Sequence, residues 1–67
     1  MTLKTETGKV IRKARKEKKM TMLDLSDKSK VEFKYLGKIE RGTANTTLDL
    51  IERLATSLDK KAKIEFE

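Results

Sequence analysis

The chain contains neither cysteine nor histidine. In a sequence of 67 residues that absence removes most of the usual ways to stabilise a fold. A domain this short buries only about 60% of the surface its unfolded chain exposes. Small domains commonly supplement such a core with disulfides, a metal or a partner subunit. Disulfides and thiolate metal sites are excluded here, and no oxidising compartment is required. Without histidine there is no imidazole base or ligand, and no Ser-His or Cys-His nucleophile. Oligomerisation is the remaining source of extra stability. No metal or cofactor is expected, and the composition argues against an enzyme.

Charge is the second constraint. There are 17 basic and 11 acidic residues, a net charge of +6, with 42% of positions charged and 36% hydrophobic. The excess sits at one end. Lys4, Lys9, Arg12, Lys13, Arg15, Lys16, Lys18 and Lys19 face only Glu6 and Glu17 within residues 1–20, and the rest of the chain is balanced. A one-sided basic block suits a polyanion, either nucleic acid or an anionic membrane surface, or else forms a solvated helix face. No apolar run approaches the roughly 20 residues of a transmembrane helix, and no signal-peptide core is present. The expectation is a soluble, cytoplasmic protein that does not act at a membrane.

The patterning describes one domain, residues 1–67, built from short helices. A first helix is predicted from about Thr5 to Lys19, with Val10, Ile11 and Ala14 as its apolar stripe, extended by Leu3. Thr21 and Asp24 have capping-box spacing before a second helix, about Met22 to Lys28, anchored by Leu23 and Leu25. After a break at Ser29-Lys30, a third helix runs from about Glu32 to Arg41, with Gly42 placed to end it. Leu36 and Ile39, with Val31 just before the helix, pack inward, leaving Phe33, Lys34, Tyr35, Gly37 and Lys38 largely on other faces. Thr46 with Asp49 repeats the capping signature for a fourth helix to about Leu58, striped by Leu50, Ile51, Leu54, Ala55 and Leu58. In residues 61–67 the period changes to two: Ala62, Ile64 and Phe66 alternate with charges, which predicts a short strand. A strand cannot stand alone, and nothing else in the chain reads as its partner.

Two short helices joined by a tight turn, at about 21–41, describe a helix-turn-helix. Gly8, Ile11, Arg12 and Arg15, then Met20-Thr21-Met22-Leu23-Asp24-Leu25-Ser26, then Val31 through Leu36 to Ile39-Glu40-Arg41-Gly42 follow a family pattern in register. Asn45-Thr46-Thr47-Leu48 and Leu54-Ala55 continue it. On these residues the chain resembles the Cro/C1 (XRE) family of helix-turn-helix DNA-binding proteins. The resemblance implies a mainly α, compact, four- to five-helix lambda-repressor-like domain with a short C-terminal β-strand. It also implies a prokaryotic, phage or mobile-element origin.

Roles follow from the resemblance. Arg15 pairs with Glu40 to tie the first helix to the third. Leu25, Val31, Leu36, Ile39, Leu50 and Leu54 form the core. Glu32, Phe33, Lys34 and Lys38 stand at the base-contacting positions. Lys can donate to guanine, Phe can press on a thymine methyl, and Glu32 either accepts from cytosine or only caps its helix. Thr21, Met22, Tyr35, Arg41, Thr43, Asn45 and Thr46 are candidates for phosphate, with Lys13, Lys16, Lys19 and Lys34 adding general positive charge. The chain departs from the pattern at three places. Met22 replaces a glutamine that braces the recognition helix, Lys30 replaces the turn glycine, and Glu32 replaces a Ser/Thr cap.

The expected partners are double-stranded DNA and a second copy of the chain. Residues 61–67 can pair with the same strand of that copy through Ala62, Ile64 and Phe66, similar to the C-terminal strand of HipB-like antitoxins. The leading reading is a sequence-specific transcriptional regulator, repressor-like, binding a palindromic operator as a homodimer with residues 32–41 in the major groove. The alternatives are an antitoxin that also binds a toxin protein, and a restriction-modification controller.

Overall fold

Thr2 opens the first helix: its extended backbone stops the coil, and its hydroxyl accepts the Thr5 N–H. The helix therefore starts and ends two residues earlier than the apolar stripe alone suggests. In this computed structural model, which describes residues 2–67, four helices follow in order: α1 (Leu3–Glu17), α2 (Met22–Ser29), α3 (Phe33–Arg41) and α4 (Leu48–Ser57). α1 packs on α3, and α2 packs on both α3 and α4. Ile11, Ala14, Leu25, Val31, Leu36, Ile39, Ala44, Leu54 and Leu58 are buried together at the centre, with Leu50 half-buried beside them.

The helix ends are chemically defined. The Thr21–Asp24 capping box forms in both directions, with the Thr21 N–H donating to the Asp24 carboxylate at 2.9 Å and the Asp24 N–H donating to the Thr21 hydroxyl at 3.0 Å. The fourth helix is capped one residue later than the Thr46–Asp49 spacing suggests. Thr47 has the extended backbone, and its hydroxyl accepts the Leu50 N–H at 3.1 Å. At the helix ends Lys19, Lys30, Gly42 and Asp59 have φ of 57°, 63°, 78° and 57°. Only Gly42 holds this left-handed conformation without a side-chain penalty. It is also crowded, since a Cβ there would lie 2.8 Å from the Thr5 Cα.

Contact between α1 and α3 depends on Gly8. A Cβ at Gly8 would stand 2.4 Å from the Ile39 carbonyl oxygen and 2.6 Å from that of Glu40, so only hydrogen lets the helices approach this closely. The expected ion pair bridges the same helices. Arg15 Nε donates to Glu40 Oε2 at 2.8 Å and Nη2 to Oε1 at 3.0 Å, while Nη1 donates to the Met20 carbonyl at 2.9 Å. The hydrogen bond to Glu40 raises the Arg15 pKa despite the opposing effect of burial, so the guanidinium stays charged. A second pair, Lys18 with Asp59, joins the ends of α1 and α4 at the surface and lowers the Asp59 pKa.

Two expectations are corrected here. Leu23 is exposed rather than an anchor, because at 100° per residue it lies about 200° around α2 from the buried Leu25. Residues 61–67 form no strand, and all seven are exposed. The Ala62, Ile64 and Phe66 pattern is present, but a strand needs ladder partners, and among the described residues one chain offers none.

Candidate nucleic-acid interface

The turn between α2 and α3 is held by two buried serines. Ser26 Oγ donates to the Val31 carbonyl at 2.6 Å, Ser29 Oγ donates to the Leu25 carbonyl at 2.7 Å, and the Val31 N–H donates back to Ser29 Oγ at 3.3 Å. Sequence reasoning missed both. The available signal was a pair of serines on the Leu25 face of a short helix, where a hydroxyl must find a backbone partner to be buried. With Lys30 left-handed, the chain reverses and sets α3 across the end of α2.

α3 divides cleanly. Leu36 and Ile39 are buried, whereas Glu32, Phe33, Lys34, Lys38 and Arg41 are exposed. Met22, Phe33, Lys34, Gly37, Lys38 and Arg41 line one shallow concavity on the outer face. Gly37 makes room in it: a Cβ there would be 3.2 Å from Arg41 Nη1 and 3.3 Å from Met22 Cε. The missing side chain lets the arginine and the methionine lie against the helix surface. Among the described residues Lys34, Lys38 and Arg41 form no ion pair, so their charge is available to an external anion. Glu32 stands at the N-cap of α3 but makes no side-chain capping bond, so of its two readings the cap is not realised. Its carboxylate lies beside the positive end of the helix dipole.

The phosphate candidates divide as well. Thr21 is exposed, with its N–H engaged by Asp24 and its hydroxyl proton unspent. Met22 is half-buried at the start of α2, where first-turn N–H groups have no partner within a helix. Arg41 and Asn45 are exposed. Three others are already engaged or covered in the free chain. The Tyr35 hydroxyl donates to the Asn45 carbonyl at 2.7 Å, which fastens the loop after α3 instead of leaving a donor for phosphate. The Thr43 hydroxyl donates to the Lys38 carbonyl at 3.2 Å. Thr46 Oγ1 is covered, and it has no hydrogen-bond partner among the described residues.

Lys9, Arg12, Lys13 and Lys16 are all exposed on α1, on the side away from the buried Gly8, Ile11, Ala14 and Arg15. The protein is thus basic on the outer faces of both α1 and α3.

A short brace helix, a serine-fastened turn and an outward cationic helix define a helix-turn-helix DNA-binding domain. The chain belongs to the helix-turn-helix family of Cro/C1 type, which matches residues 11–63. Similar solved structures include the clp gene regulator ClgR from Corynebacterium glutamicum, at 26% identity and a TM-score of 0.87. That match covers 91% of this chain but only 65% of ClgR. The restriction-modification controller C.AhdI from Aeromonas hydrophila matches at 33% identity and a TM-score of 0.82, covering 85% of this chain and 86% of that one. The controller C.Esp1396I, solved as a tetramer with its natural 35 base-pair operator, matches at 34% identity and a TM-score of 0.85, with 91% and 80% covered. No protein of curated function matches the sequence.

Proposed function

We propose that this chain is a sequence-specific DNA-binding transcriptional regulator that occupies a palindromic operator as a homodimer, with residues 32–41 in the major groove. The observation that carries this reading is the outward, unpaired cationic face of α3 around Gly37. Lys34 and Lys38 donate to guanine O6 and N7, Phe33 packs on a thymine methyl, and Glu32 accepts from a cytosine amino group. Arg41, the Thr21 hydroxyl, the Met22 N–H and the Asn45 side chain take phosphate oxygens and fix register. On this reading the protein acts in the cytoplasm of a prokaryotic cell, and its activity is binding rather than catalysis.

Dimensions fit a dimer. The domain measures 33 × 22 × 20 Å. Two copies placed end to end along the 33 Å axis have their centres about that far apart, close to one helical turn of roughly 34 Å. Dimerisation is assigned to residues 61–67 through Ala62, Ile64 and Phe66, exposed in the single chain. Within this reading a restriction-modification controller is favoured by the two controllers at 33% and 34% identity, which are matched over 86% and 80% of their own lengths.

Fluorescence anisotropy on random and selected duplexes tests the reading. Affinity should fall steeply with salt, by about 0.9 log unit per log unit of salt for each phosphate neutralised. Arg41→Ala should weaken all sequences alike and reduce that slope by about one, whereas Lys38→Ala should relax preference at one base pair. Absence of duplex binding at low salt would overturn the proposal.

A further inference from the structure

The apolar stripes of α1 and α4 leave a groove between them. Leu3, Val10, Ile51 and Ala55 line it, and Ala62 contributes where the tail leaves the domain. Leu3 and Val10 are 79% and 61% exposed there, large values for residues at core spacing on an amphipathic helix. The tail beyond Ala62 carries two more uncovered side chains, Ile64 at 67% and Phe66 at 93% exposed. The groove is mostly apolar, with Glu6, Lys60, Lys61 and Lys63 around it, and neither it nor the tail's Ile64 and Phe66 is covered.

We propose that the α1–α4 groove receives Phe66 of a second copy, delivered by an antiparallel two-stranded ribbon whose two-fold axis passes through Ile64. This rests on the homodimer reading above and specifies its surface and register. Charge selects the register. With Ile64 opposite itself, Lys63 faces Glu65 and Lys61 faces Glu67 of the second copy, so all four cross-strand charge pairs are of opposite sign. Centring the ribbon on Lys63 sets two lysines opposite each other at the axis, and centring it on Glu65 sets two glutamates there. Registers centred between residues put apolar side chains opposite charged ones, and parallel in-register pairing stacks like on like.

The selected register also has a geometric consequence. Phe66 of one copy falls opposite Ala62 of the other, and Ala62 lines the groove of its own domain. Ala62, Ile64 and Phe66 share one face of the ribbon, because strand side chains alternate. A lone two-stranded ribbon is marginal in water and needs a helical surface beneath it. The α1–α4 groove is the apolar surface that Ala62 already touches, and each copy supplies one.

Sedimentation equilibrium on the full chain tests this, with circular dichroism as the control for folding. The wild-type chain is expected to be dimeric. Val10→Glu and Phe66→Ala alter side chains exposed in the single copy, so helix content should be unchanged. Both should raise the dimer Kd by about tenfold or more. Lys63→Glu should raise it by about tenfold, and the swap Lys63→Glu/Glu65→Lys should return it to within about threefold of wild type. Wild-type dimerisation by Val10→Glu, with Lys63→Glu impaired, would overturn the groove seat while leaving the ribbon. An unaltered Lys63→Glu, or a swap that fails to rescue, would overturn the register. A monomeric wild-type chain would overturn the homodimer reading itself.

Discussion

Replacing Arg15 by alanine removes the tie that orients α3 on its scaffold. The guanidinium makes two hydrogen bonds to Glu40 and one to the Met20 carbonyl. The Arg15 and Glu40 side chains are only 10% and 5% exposed, so water cannot take over the broken contacts. Stranding the Glu40 carboxylate costs about 3–5 kcal/mol, and orphaning the Met20 carbonyl adds about 1–3 kcal/mol. A domain of this size has a total stability of only about 3–10 kcal/mol. Arg15→Ala should therefore be largely unfolded at 25 °C. Arg15→Met with Glu40→Leu removes both charges and keeps the volume, leaving chiefly the Met20 carbonyl unsatisfied. The double variant should be folded, and more stable than Arg15→Ala by about 2 kcal/mol or more. Urea unfolding followed by circular dichroism measures both. Arg15→Ala within about 1 kcal/mol of wild type, or a double variant worse than either single, would refute the reasoning.

Three further outcomes follow from backbone and capping geometry. Lys30→Gly should stabilise the protein by about 0.5–1 kcal/mol in the same unfolding assay, because it relieves a left-handed lysine in the turn. Gly8→Ala should destabilise it by about 2 kcal/mol: overpacking against two backbone carbonyls costs about 3, and helix propensity returns about 1. Asp24 has its pKa lowered by the hydrogen bond it accepts from the Thr21 N–H. Its folded value thus lies below the unfolded value of about 3.9, so the cap's contribution is present above that pH and is lost as pH falls through the folded value. Thermal unfolding between about pH 6 and about pH 2 should show this loss, and Asp24→Asn should flatten the profile.

What the sequence made legible were local rules and pairwise patterns. The Thr21–Asp24 box is set by spacing alone, as is the Gly42 terminus. The Leu36–Ile39 inner face follows from helical period, and the Arg15–Glu40 pair from the family pattern. The hydroxyl partners of Tyr35 and Thr43, and the covering of Thr46, were not legible, because these residues meet their surroundings only after α3 and the following loop have docked. Ser26 and Ser29 were missed for the same reason, their partners being carbonyls of the turn. Thr46 and Thr47 are both plausible caps, and backbone geometry decides between adjacent threonines. Leu23 shows that an apolar residue two positions from a core residue lies on a different helix face. The alternation of residues 61–67 is real, but no ladder forms without a second strand.

Selection of bound duplexes from a random DNA pool tests the central claim most directly, with the wild-type chain compared against a Lys34→Ala/Lys38→Ala variant. The account predicts enrichment of an inverted repeat whose half-sites lie about one helical turn apart, with guanine preference lost in the variant. Enrichment of no sequence by the wild-type chain, or the same repeat from both proteins, would contradict it.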